Sequence, residues 1–246
     1  MTGGIRQAWV PYCGSAPEPA ELLARWNFDP LLLVPLAGLL IWHFATARHR
    51  ENRQALLGAL AVLAILFVSP FCALTSALFA ARAAHHAILI AVAAPLLAWS
   101  LPHTFPHRRL PLAATTAIAT LTLWAWHVPG LYAAALSNDA IYWLMQASLL
   151  GTAIGFWLSV RHSSVPAAVV ALLATMVQMG LLGALLTFSG RAFYAPHLAS
   201  TWAWGFTPLE DQQLAGLIMW APAAALYLLA ALILAGRWFH QAQRPA

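Results

Sequence analysis

The stretch ALFAARAAHHAILIAVAAPLLAW, Ala77 to Trp99, carries an arginine and two adjacent histidines at the mouth of an otherwise apolar run. After His86 no ionisable residue follows until His103. About 20 mainly apolar residues, rising 1.5 Å each in a helix, cross the hydrocarbon of a bilayer. The stretch therefore reads as a membrane helix with polar groups at one lip. An ionisable residue in that position is a functional hypothesis, because holding it there is costly.

Working outward, the rest of the chain has the same character. Of its 246 residues 62% are hydrophobic and only 8% charged, against about a quarter charged in soluble domains. A soluble fold could not hide this much apolar surface. All 12 basic residues are Arg, and the net charge is +5. They are scattered singly between apolar runs and form no basic stripe, so nucleic acid is excluded as a partner. The N-terminal stretch MTGGIRQAWVPYCGSAPEPAELLARW has no apolar core of a signal peptide, so the first spanning helix is expected to direct insertion.

Seven spans are expected, over 30–47, 54–74, 84–101, 111–128, 140–160, 165–188 and 212–236. Charged or turn-rich stretches separate them: RHREN, PHTFPHRRLP, SND and RHSS. The predicted fold is an all-α membrane bundle: an outer N-terminal segment (1–29), a seven-helix domain (30–240) and a cytoplasmic tail (241–246). Arg48, Arg50, Arg53, Arg108, Arg109, Arg161, Arg237 and Arg244 fall on one side, with only Glu51 against them. Arg6, Arg25, Arg82 and Arg191 fall on the other, with the remaining acids. The excess of Arg on cytoplasmic loops puts the N-terminus outside and the C-terminus in the cytoplasm.

Once sides are assigned, the polar residues divide. His43, His49, His103, His107, His162 and His240 fall on the inner side, mostly beside Arg, and suit contact with lipid headgroups. The outer side gathers Asp29, Arg82, His85, His86, His127, Asp139, His197, Asp211 and Gln212, with Met145, Gln146 and Met219 a turn or two deeper. Each has a structural alternative. His127 suits a helix C-terminus before Pro129, and Asp139 and Asp211 suit first turns. As a set they supply ligand types for copper, and imidazole pairs also suit haem iron. Adjacent His85 and His86 project about 100° apart and cannot both face one centre. His86 shares a face with Arg82 at i, i+4 and is expected to point inward. The metal candidates are thus His86, His127, His85 and Met219, with the other polar residues orienting them. Met176 and Met179 read as packing, and Gly180, Gly183 and Ala184 as a close helix contact. Cys13 and Cys72 are too few for a disulfide scaffold. Both fall outside, where a disulfide would persist, and pairing is left open. No acid lies at mid-membrane, which argues against a transporter. No nucleophile–base pair marks an enzyme.

Five blocks carry a resemblance: RWNFDPLLL (25–33), SPFCALTSALFAARAAHHAILIAVAAPLL (69–97), LWAWHVPGLYAAAL (123–136), MGLLGALLTF (179–188) and YAPHLASTWAWGFTPLEDQQLAGLIMW (194–220). In these blocks the chain resembles the CtaG family of bacterial cytochrome c oxidase (caa3-type) assembly factors. The resemblance implies a non-enzymatic, multi-pass protein of the bacterial plasma membrane. It implies oxidase subunits and the lipid bilayer as partners, leaves a homo-oligomer open, and makes copper the cofactor or cargo. Many members carry His where this chain has Arg82 and Gln146. Arg82, always protonated, cannot bind a metal. That departure keeps two other readings alive: a metal-free scaffold for the oxidase, and a haem-binding membrane protein with His86 and His127 as axial ligands.

Overall fold

The computed structural model describes residues 11–46, 50–101 and 111–243. Of the residues weighed above, Arg6, Arg48, His49, His103, His107, Arg108, Arg109 and Arg244 lie outside that description. Among the described residues the chain is helical and contains no strand. The α-helices are α1 (Pro30–Thr46), α2 (Arg50–Phe67), α3 (Pro70–Ala77), α4 (Phe79–Ile88), α5 (Ala94–Ser100), α6 (Leu112–Trp126), α7 (Pro129–Ala135), α8 (Asp139–His162), α9 (Val165–Thr187), α10 (Pro208–Ile218) and α11 (Ala224–Ala242).

Four helical rods have the length and apolarity to cross a bilayer: Phe79–Ser100, Asp139–His162, Val165–Thr187 and Pro208–Ala242. Asn52–Phe67 and Pro70–Ala77 add a fifth if the pair, bent by 47°, counts as one span. The helix beginning at Pro30 and Leu112–Trp126 are apolar but shorter. The expected seven therefore resolve into four clear spans, one bent pair and two short helices. The bend has a local cause. Pro70 cannot continue the hydrogen-bond ladder of α2 and instead starts α3, with extended Ser69 capping the Phe71 amide at 3.2 Å. Extended Leu78 then separates α3 from α4.

Two rods contain a π-helical turn, at Leu89–Ala93 and Met219–Ala223. Each accommodates a proline, Pro95 just beyond the first and Pro222 within the second. Pro95 brings no N–H, so the Ile90 carbonyl, five residues back, lacks the bond that a π register would supply. The indole N–H of Trp157 on α8 donates to that carbonyl at 2.9 Å. Neighbouring helices re-satisfy such groups wherever a broken helix is stable in lipid. Farther along, Arg161 Nη1 donates to the Ala98 and Leu101 carbonyls at 2.9 and 3.0 Å, satisfying the end of α5.

α8 packs on α5 and α6, α9 on α10 and α11, and α10 on α4. The α9–α10 contact is set by Gly183 and Gly216. A methyl on Gly216 would collide with Thr187 Oγ1 and the Gly183 carbonyl oxygen. Small residues let membrane helices approach backbone to backbone. Gly183, expected to mark a close contact, sits in this one. Large apolar side chains such as Leu31, Ile41, Leu121 and Val170 are exposed on the outside of the bundle, as lipid-facing positions should be.

Candidate functional site

The starts of α4, α8 and α10 meet the ends of α6 and α9 at one end of the bundle, and the polar residues collect there. α4 begins after Leu78, which supplies no side-chain cap. The orphan amides of its first turn are met from another helix: Asp211 on α10 accepts from Phe79 N at 2.7 Å and Ala80 N at 3.1 Å. A carboxylate there satisfies two donors and complements the helix dipole. The next turn of α4 carries Arg82, His85 and His86, exposed by 0%, 0% and 2%.

These three side chains meet residues from four other elements. Arg82 Nη1 lies 3.4 Å from the Tyr142 hydroxyl of α8, with the guanidinium carbon 5.3 Å from that ring's centre. Gln146, one turn on from Tyr142, places its Nε2 3.4 Å from His86 Nε2. His127 ends α6, its ring centre 6.2 Å from that of His86. His127 Nδ1 lies 2.7 Å from the Leu123 carbonyl. The carbonyl can only accept, so Nδ1 carries the proton and Nε2 keeps its lone pair. His85 turns the other way, against Phe67 and Phe71 at ring-centre distances of 4.8 and 6.2 Å. The adjacent histidines therefore diverge as the helical period requires.

A shell of hydroxyls closes the site. Tyr132 of α7 hydrogen-bonds His197 Nε2 at 2.7 Å, and His197 Nδ1 faces the Ala77 carbonyl at 3.3 Å. His197 thus donates through Nδ1 and accepts at Nε2, with no lone pair left for a metal. Burial, then the charge of Arg82, push its pKa down to about 3. Tyr194 donates to the His127 carbonyl at 2.9 Å and stacks on Phe79 at 3.7 Å. Burial raises its hydroxyl pKa. Beside this shell, Cys13 and Cys72 are joined in a disulfide. It ties the segment around Tyr12 across the top of α8, where Tyr12 stacks on Tyr142 at 5.1 Å. The Tyr12 hydroxyl donates to Asp29 at 2.5 Å, and its pKa is raised by burial and by that carboxylate.

The remaining candidates scatter. Asp29 also caps α1 by accepting from Leu31 N at 2.9 Å. Asp139 is exposed in the first turn of α8, next to the Asn138 cap. Gln212 binds loop backbone, accepting from Phe193 N at 2.7 Å and donating to Arg191 O at 3.1 Å. Met219 and Met145 are buried, Met219 at the start of the second π turn. Sequence reasoning missed Tyr132, Tyr142 and Tyr194. Tyr142 alone left a signal, standing four residues before Gln146 on one helix face.

Comparison with known families decides the broader question. The profile of the cytochrome c oxidase caa3 assembly factor family (Caa3_CtaG) matches residues 36–241. The chain belongs to this family. Neither curated proteins nor solved structures give a match. The matched range runs from within α1 to within the last turn of α11, and holds the whole cluster around Arg82. Membership implies interaction with cytochrome c oxidase components.

For a metal, the cluster offers little. Among the described residues no group of three or more His, Cys, Asp or Glu lies close enough to hold an ion. The disulfide occupies both thiols. What remains is the pair His86 and His127. Two imidazoles on one ion, through bonds of about 2 Å, set their ring centres about 6 Å apart. The observed 6.2 Å matches that separation, but the Gln146 amide nitrogen faces His86 Nε2 at 3.4 Å and would have to swing away for both imidazoles to reach one ion. Such a site suits Cu(I) rather than ions that demand four ligands.

Proposed function

We propose that this caa3 assembly factor helps copper reach the oxidase at the outer face of the plasma membrane, taking Cu(I) as cargo between His86 and His127. The observation that carries the reading is the 6.2 Å pairing of these rings, with His127 held so that Nε2 keeps its lone pair. The protein's role is non-catalytic. His85 and Met219 are secondary donors, reachable only if side chains rearrange. Arg82, one turn before His86, repels a cation, so the pair suits brief holding and handover rather than storage.

The seven-span topology belongs to this proposal. The bent α2–α3 pair, α1 and α6 complete the count, and the starts of α4, α8 and α10 then share a side with the ends of α6 and α9. The disulfide supports the outward assignment of that side, since disulfides persist where the medium is oxidising.

The test is copper content after anaerobic Cu(I) loading of the purified protein, wild type beside His86→Ala/His127→Ala. One copper per chain is expected, lost in the double variant. In cells, the double variant should leave the protein in the membrane while oxidase copper and activity fall. Copper retained by the double variant overturns the assignment.

A second reading has its own observation. Arg82 sits inside the cluster and Gln146 faces His86, two positions where the family resemblance implies histidine. These favour a metal-free scaffold that binds oxidase subunits through its helices. Wild-type protein that takes no copper, from a strain whose oxidase still requires it, supports that reading. A Soret band on the purified protein would instead mark haem.

A further inference from the structure

Arg82 presents a problem of charge that the copper reading does not address. It is fully buried, and among the described residues no carboxylate forms an ion pair with it. The buried carboxylate on the facing helix, Asp211, is engaged by the Phe79 and Ala80 amides. Only Nη1 of the guanidinium has a hydrogen-bond contact, the long 3.4 Å approach to Tyr142. Nε and Nη2 have none. The Tyr132 hydroxyl also approaches the guanidinium, but its short hydrogen bond is to His197.

One turn on, at i+3, His85 is equally buried; the Leu66 carbonyl is its polar neighbour, but neither Nδ1 nor Nε2 makes a hydrogen bond of ordinary geometry. Arg82 and His85 thus lie on one face of α4 with unspent N–H donors on both. The acceptors at hand are neutral and few. Gln146 Oε1 also lacks a partner, but one amide oxygen does not balance a guanidinium. Donors in excess, a net positive charge and a site removed from water together specify an acceptor that is negative and small. The aromatic rings of Phe67 and Phe71 lie against His85, and that of Tyr142 against Arg82.

We propose that Arg82 and His85 bind a small monovalent anion of halide size, held by Nε–H and Nη2–H of the guanidinium and by one N–H of the imidazole. The anion compensates the buried charge on α4. It needs no copper and is independent of the His86–His127 pair.

The test uses full-length, metal-free protein in detergent at constant ionic strength, with gluconate replaced stepwise by chloride or bromide. The melting temperature of the wild type should rise saturably, by about 5 °C when the halide is well above its Kd. Arg82→Gln should lose the dependence. In crystals of the wild type grown with bromide, the anomalous signal should mark an ion within hydrogen-bond distance of Arg82 and His85. That measurement stands even if Arg82→Gln does not fold. A wild-type melting temperature indifferent to halide overturns the proposal, as does density at Arg82 that holds water alone with no bromide signal.

Discussion

The rod Phe79–Ser100 is stabilised at both ends by a charged side chain from another helix, and the two ends differ in what lies beside that cap. At its finish, Arg161 spends its guanidinium on the Ala98 and Leu101 carbonyls. At its start, Asp211 spends its carboxylate on the Phe79 and Ala80 amides. These are matching solutions to one problem, the unpaired backbone groups at helix ends. Only the start adds a second charge, Arg82, one turn inside and fully buried. Arg161 is explained by the helix end it closes. Arg82 closes nothing. A buried cation without a structural task is where function should be sought.

The sharpest way to break this comparison is Asp211→Ala. It strands two buried amides and should cost about 3 kcal/mol, read as a fall in melting temperature with loss of the site. Asp211→Asn, which keeps one acceptor, should lose less. If Asp211→Ala melts like the wild type, the start of α4 does not depend on α10.

Arg161→Met should cost about 1.5 kcal/mol through the carbonyls it releases, with Cu(I) binding intact. Lost copper binding there would mean that the two ends are coupled.

Acid should weaken the site end through His197, against an opposite contribution from Asp211, whose carboxyl pKa is raised by burial to about 6. The unfolded His197 imidazole takes a proton near pH 6.5, whereas the folded one resists down to about pH 3. Its folded pKa is depressed, so its contribution is complete above pH 6.5 and is lost as pH falls towards 3. The loss should be about 1.4 kcal/mol for each pH unit in that window. His197→Gln should flatten that slope in a pH series of melting curves; an unchanged slope would assign the acid sensitivity elsewhere.

The smallest stability effect is expected from the most central residue. Arg82→Met removes a buried charge with no ion-pair partner, so in halide-free buffer it should be neutral within about 1 kcal/mol, or stabilising. Oxidase maturation should nevertheless fall. A large destabilisation would make Arg82 a structural residue like Arg161 and dissolve the contrast.

What the sequence made legible follows the range of the interaction. The long apolar runs, the breaks at Pro70 and the loops, and the Arg82–His86 face all depend on neighbours within about four residues. Membrane-helix length was readable for α8 and α9, and less so for α2–α3, where a proline divides one apolar run into two helices. The two π turns were hidden, because a proline in a span announces a break but not its form. The hydroxyl shell was hidden for another reason. Tyr132 finds His197 across 65 residues and Tyr194 finds the His127 carbonyl across 67. No periodicity encodes such pairings. Asp211 was read as suited to its own first turn or to orienting ligands; it does stand in the first turn of α10, and from there it also serves the first turn of α4.

That last contact also orders events in time. Phe79 and Asp211 are 132 residues apart, so the ribosome finishes α4 long before it makes the residue that completes it. Until the final helical rod enters the bilayer, the first amides of α4 have no Asp211 to meet. The polar end of the bundle is therefore the last part of the molecule to close, and a chain that stops short of α10 can be inserted without ever acquiring its site.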